Sequence, residues 1–194
     1  FEGDGDASRE ALYAVASAWD HAGRLEAARD AWRRYAHEHE FPVAPRAEAM
    51  NRLQQIYAAW DDASSRGFWL VRLAALPVED ARVATLASNA AAVLAEQASD
   101  RFRAVRLTGS LKEALGRKQK VYREALEAWR RVREINVLEH QSTARLGLAR
   151  VHAGFARSLR EAPVPDGLNE AQRARYLQLV EQQAAPFHAA AVEQ

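Results

Sequence analysis

"AWDHAGRLEAARDAW", residues 18–32, sets one glycine between two alanine-rich runs, with Trp19 and Trp32 on either side. Alanine, leucine, arginine and glutamate are strong helix formers, whereas glycine inside a helix costs roughly 1 kcal/mol relative to alanine. A glycine in that setting marks an interruption: lacking a Cβ, it accepts the positive φ that a short connection between helices commonly needs. The stretch therefore reads as a helical hairpin turning at Gly23. Upstream, Leu12, Val15, Ala16 and Trp19 recur at three- and four-residue steps, which is one face of an α-helix. Downstream, Leu25, Ala28, Trp32 and Tyr35 repeat the pattern until Pro42, because proline disfavours the α region in the residue before it. Small residues at Ala16 and Ala28 permit close approach of the two helices, and the rings of Trp19 and Trp32 are expected to fill the groove. The acidic lead-in, residues 1–6, ends at Asp6, a candidate N-cap.

The pattern returns further along. Ala18-Trp19-Asp20 reappears as Ala59-Trp60-Asp61, 41 residues later; at that offset Leu12 matches Leu53, Val15 matches Ile56, and Tyr57 stands for Ala16. A second break at Ser64, Ser65 and Gly67 leads into Phe68-Trp69-Leu70, Leu73 and Leu76 before Pro77. Residues 7–42 and 45–77 thus read as two hairpins, the second with a shortened partner helix. A period near 40 residues built from helix pairs is the pattern of an α-solenoid. Residues 78–162 read as longer, divergent helices: 78–99, then 100–107, then a helix capped by Ser110 with Leu115, Tyr122 and Trp129 seven apart, then one from about His140 to Glu161 on Ala144, Leu148, Val151, Phe155 and Leu159. Pro163-Val164-Pro165-Asp166-Gly167 is a loop. Residues 168–193 form a last helical segment, which Pro186 should kink or restart. Together, residues 1–194 read as a single all-α helical-repeat domain of about eight helices. The start at Phe1 rather than Met suggests a processed form or a segment of a longer chain.

Composition narrows the function classes. With 48% hydrophobic and 27% charged residues the chain has material for a core, and a net charge of +1 favours neither a general nucleic-acid binder nor an acidic tail. The absence of cysteine removes disulfides, thiolate metal sites and cysteine nucleophiles. No run of 18 apolar residues suggests a membrane span. There is no glycine-rich phosphate loop and no Gly-x-Ser-x-Gly elbow. His37-Glu38-His39-Glu40 invites a metal reading, but histidines two apart do not share a helix face, and a His-Glu-x-x-His site needs histidine where Phe41 stands. A polar helix end is the better account. His21, beside Asp20, suits a helix C-terminus. His140, His152 and His188 have no local partner at useful spacing, and the adjacent Asp61 and Asp62 diverge around a helix rather than share a proton. No catalytic, cofactor-binding or metal-binding residue is assigned, no cofactor is implied, and the chain is expected not to be an enzyme.

Residues 9–42 resemble a tetratricopeptide repeat (TPR), a family in which about 34 residues form a helix–turn–helix. Leu12, Val15, Ala16 and Trp19 fall at that motif's first-helix positions, and Gly23, Leu25, Ala28 and Trp32 at its turn and second-helix positions. Tyr35 departs from the small residue usual there, Glu40 replaces the usual proline, and Pro42 stands two residues late. The resemblance implies TPR-like hairpins stacked as a right-handed α-solenoid. It also implies a non-catalytic protein–protein interaction scaffold or adaptor with a concave groove for an extended peptide or helix. The groove would be lined by Tyr13, Ser17, Asp20 and His21, and in the second hairpin by Gln54, Ala58 and Asp61. Charge reversal at Asp20 and Asp61 is then expected to weaken capture without lowering the melting temperature. Separately, "KQKVYREALEAWRRV" (118–132) and "APVPDGLNEAQRARYLQLVEQQAAPF" (162–187) resemble the C-terminal part of large envelope repeat proteins of deltaproteobacteria, including gliding-motility components. That likeness implies a periplasmic or cell-envelope setting, with the cytoplasm as the alternative.

Charge is uneven. Between Asp100 and Arg133 eleven Lys or Arg stand against four Asp or Glu, and all three lysines, Lys112, Lys118 and Lys120, lie there. One reading is an anionic partner, whether nucleic acid, acidic lipid or an acidic protein, met by residues 101–133 through Arg117, Lys118 and Lys120. The other is the solvated side of a long helix. Nucleic-acid-binding helical repeats add exposed stacking rings; here Trp19, Trp32, Trp60 and Trp129 fall at periodic apolar positions and are assigned to the core, leaving Trp69 the least certain. A further alternative is the helical arm of a larger enzyme, such as a cell-wall lytic enzyme.

Overall fold

A computed structural model of the chain describes residues 2–108 and 110–194, with side chains from residue 6 onward. Those residues are helical, with no strand among them: α1 (Glu2–His21), α2 (Leu25–Glu38), α3 (Val43–Ala59), α4 (Ala63–Ala74), α5 (Ala81–Ala104), α6 (Leu111–Ile135), α7 (Leu138–Arg160) and α8 (Glu170–Val192). The all-α class read from the sequence holds. The chain forms two compact units, the boundary falling within α5 after Leu94. In the first, α1 packs on α2, α2 on α3 and α3 on α4; in the second, α6 packs on α7 and α7 on α8.

Gly23 is the turn of the first hairpin, at φ 70°. The second hairpin turns at Asp61, at φ 55°. The two turns share one hydrogen-bond pattern. Arg24 N–H donates to Trp19 O (3.0 Å) as Asp62 N–H does to Tyr57 O (2.9 Å). Gly23 N–H donates to Asp20 O (3.0 Å) as Asp61 N–H does to Ala58 O (3.2 Å), and Ala28 N–H donates to Arg24 O (2.9 Å) as Arg66 N–H does to Asp62 O (3.0 Å). Every one of these pairs is offset by 38 residues, not by the 41 of the Ala-Trp-Asp triplets. The triplet lies inside the last turn of α1 but straddles the end of α3, so its recurrence is a match of letters and not of position. On the 38-residue register Trp32, Tyr35 and Ala36 correspond to Leu70, Leu73 and Ala74, and all six are buried. Asp61 occupies the glycine position because short polar side chains tolerate the left-handed region better than most. The α6–α7 connection uses the same device, with Asn136 at φ 61°.

Several sequence expectations need correction. Helix α1 already runs from Glu2, so Asp6 is not a cap; one turn on it pairs with Arg9 at 2.8 Å. Pro45 lies in the first turn of α3, where no partner for a backbone N–H is lost. Residues 81–104 form one helix where two were expected, since nothing around Asp100 breaks the ladder. Helix α8 continues on both sides of Pro186, and its start is fixed by a capping box between Asn169 and Gln172. Trp19 is 36% exposed and Val15 48%, because Ala16 is the residue that faces the core. Trp69, the doubtful one, is buried, and Phe68 and Val71 beside it are exposed.

The second unit is centred on rings. Tyr122 lies 4.5 Å from Phe155 and 5.6 Å from Phe187, and Phe155 lies 4.6 Å from Phe187. Trp129 packs directly on the backbone of α7 at Gly147, and its Nε1–H donates to Ser99 Oγ (2.9 Å). No helix among the described residues is long and apolar enough to cross a membrane.

Candidate binding cleft

A cavity of about 470 Å³ opens on the first unit between α1, α3 and the start of α5. It is built on two carboxylates. Asp20, in the last turn of α1, has its side chain 7% exposed and accepts from Arg52 Nε and Nη2, both at 2.5 Å, and from Trp32 Nε1 at 3.2 Å. The Arg52 guanidinium thereby holds the Asp20 carboxyl below its ordinary pKa. Glu48, on α3, accepts from the Tyr13 hydroxyl and from Arg82 of α5 (2.5 Å). Burial, reinforced by the Glu48 bond, pushes the Tyr13 phenol up to about 12, so it stays a proton donor at physiological pH. His21 adds an Nδ1–H donated to Ser17 O (2.7 Å), which fixes its tautomer.

Both carboxylates are therefore committed to fixed partners. What the cleft turns to solvent is donor-rich: the guanidinium of Arg82 (side chain 68% exposed), that of Arg52 (41%), the amide of Asn51 and the hydroxyl of Ser17, with Leu86 as an apolar pad. Such a surface suits a ligand that offers acceptors in a row, as the carbonyls of an extended chain do.

Four of the residues expected to line a groove, Tyr13, Ser17, Asp20 and His21, come together in this cavity. Gln54 does not line it; its amide donates to Asn51 Oδ1 at 3.1 Å. Asp61 is the left-handed turn residue and is exposed outside it. The 38-residue register explains both: the counterpart of Tyr13 is Asn51, a lining residue, and that of Asp20 is Ala58. Sequence reasoning missed Glu48, Asn51, Arg52 and Arg82; Asn51 follows from the corrected register as the counterpart of Tyr13, and nothing in the sequence singles out the other three. Asp20 is also no free groove charge. Its reversal would put a cation against Arg52 and strand Trp32 Nε1–H, so loss of stability, not unchanged melting, is the consequence.

The basic stretch divides. Lys118 is 3% exposed, and its ammonium donates to Phe102 O (2.7 Å) and Val105 O (2.8 Å), closing the end of α5, so it contributes nothing to a surface. Arg117 faces Glu113 at 3.9 Å, and Lys120 is exposed. His37 stacks edge-on against Trp69 (5.4 Å), and burial lowers its pKa; His39 lies against Tyr35 (5.1 Å). Among the described residues no group of three or more His, Asp or Glu is placed to hold a metal ion. No protein-family model matches the chain, and no curated protein or solved structure matches it.

Proposed function

We propose that the chain is a non-catalytic protein–protein interaction module of the TPR-like solenoid kind, and that the cleft over Asp20 and Glu48 receives an extended peptide segment of a partner. The observation that carries this reading is the donor-rich cleft built over two committed carboxylates. A general acid–base pair needs groups that change protonation near neutral pH; here Arg52 keeps Asp20 ionised, and burial with the Glu48 bond keeps the Tyr13 phenol protonated. The 38-residue recurrence of the hairpin gives further support, since stacked helix pairs present one such face repeatedly. The envelope or motility setting implied by the likeness of residues 100–193 belongs to the same proposal.

The test is to pan a random peptide library on the chain and measure selected peptides by fluorescence polarisation. Extended binders are expected, and Arg82→Ala and Asn51→Ala should each weaken them about fivefold or more, the worth of a peptide hydrogen bond to a charged or amide donor. Selected peptides that bind both variants as tightly as the parent would remove the cleft from the account.

A further inference from the structure

The second unit has a different concave surface. A groove of about 290 Å³ runs between α5 and α7. Below it lie the buried rings of Phe102 and Trp129, 3% and 2% exposed. The glycines of α7 let it close down on these rings: a Cβ at Gly147 would lie 2.3 Å from the Trp129 ring, and one at Gly154 would lie 2.9 Å from Phe102. Leu146 stands 48% exposed at its edge. From Thr143 to Arg157 the α7 wall spans about four turns, or roughly 21 Å, which is the length of a short helix.

The walls are charged unevenly. Arg103, Arg150 and Arg157 line the groove, and Glu96 is the acidic residue of the lining. Arg103 is paired with Asp100, but Arg150 and Arg157 have no ion-pair partner among the described residues. They sit one heptad apart on α7, so they share a side of the groove. The unit as a whole agrees in sign: from Ala95 onward seventeen Lys or Arg stand against twelve Asp or Glu, whereas up to Leu94 ten stand against fourteen.

We propose that this groove docks an acidic amphipathic helix of a partner protein, whose apolar stripe lies on Leu146 and the small residues Ala153 and Gly154 of the α7 wall and whose carboxylates meet Arg150 and Arg157. Two unpaired guanidiniums beside an exposed leucine and a wall of small residues, on a unit of net positive charge, are complementary to a helix with apolar residues at i, i+3, i+4 and i+7 and glutamates flanking them. The site is separate from the cleft over Asp20 and Glu48, and either stands without the other.

The experiment uses the intact chain and two synthetic helical peptides of equal length and apolar stripe, one flanked by glutamate and one by lysine. Binding is followed by polarisation of a labelled peptide across a salt series. The glutamate peptide is expected to bind, with affinity falling as salt rises, and the lysine peptide to bind at least about tenfold more weakly. Arg150→Glu with Arg157→Glu should abolish the difference between the peptides, and Leu146→Glu should weaken the glutamate peptide about tenfold. All three side chains are exposed, so far-UV circular dichroism and the melting temperature should stay those of the parent. Arg82→Ala, in the other cleft, should leave this binding unchanged. Equal binding of the two peptides, or binding indifferent to the double reversal, overturns the proposal. So does binding of long-chain fatty acid or anionic vesicles, sensitive to the same reversals, with none of the glutamate peptide.

Discussion

Replacing Gly147 by alanine sets two opposing effects against each other at one atom. In a helix interior the exchange should stabilise by up to about 1 kcal/mol through backbone entropy. At Gly147, however, the added Cβ would lie 2.3 Å from two carbons of the Trp129 ring and 2.8 Å from a third. Those are ring atoms of a side chain only 2% exposed, not the mobile end of a flexible one. The ring must move by an ångström or more, and its Nε1–H bond to the buried Ser99 hydroxyl (2.9 Å) is lost. Over-packing of this kind costs about 1–3 kcal/mol, and the broken bond about 1 more. Set against the helix gain, Gly147→Ala should destabilise by about 1–3 kcal/mol. Gly116, in the second turn of α6, has nothing within 4 Å of the same virtual atom. Gly116→Ala should therefore stabilise by about 0.5–1 kcal/mol. Urea unfolding followed by far-UV circular dichroism measures both. If Gly147→Ala proves as stable as the parent, Trp129 does not lie on α7 as described. If the two alanine variants shift together, helix propensity alone is deciding and the packing argument fails.

Asp20→Ala removes the acceptor of both Arg52 and Trp32 Nε1–H and should cost about 2–3 kcal/mol by urea titration. Trp19→Ala, at a ring 36% exposed whose polar neighbour is Arg24 at 5.4 Å, should cost about 1–2 kcal/mol, whereas Trp32→Ala should cost about 3–5. His152 Nδ1 and the Tyr122 hydroxyl are hydrogen-bonded at 2.8 Å, and burial, helped by Arg130, holds the His152 pKa below the ordinary histidine value. The unfolded chain therefore takes up that proton first as pH falls. The stabilisation is complete above about pH 6.5 and is lost progressively below it, so the urea midpoint should drop on acidification, and less steeply in His152→Phe.

The helical class, the Gly23 turn and the loop at 163–167 were legible because they rest on local chemistry: propensity, periodicity and breakers. The second hairpin was placed by a triplet of letters. Asp61 gives no warning that it turns the chain, since aspartate is ordinary at a helix end as well, and the 41-residue match pulled the register three residues off. Four cleft residues on α1 were found because one helix face is fixed by its own period. Gln54 and Asp61 were misplaced because their position depended on that register. Lys118 looked like surface charge because nothing nearby in sequence announces the carbonyls of residues 102 and 105 that receive it. Trp19 looked like core because periodicity fixes a face without saying which side of it the neighbouring helix covers.

The 38-residue register is tested most directly by comparing Asp61→Gly with Asp61→Ala in unfolding free energy. With residue 61 in the left-handed region, as φ 55° has it, the glycine variant should be the more stable by about 1 kcal/mol, because alanine there sets its Cβ against the following carbonyl. Were residue 61 helical, as the 41-residue match to Asp20 would require, alanine would be the more stable by about 1 kcal/mol, and the account of the repeat would be wrong.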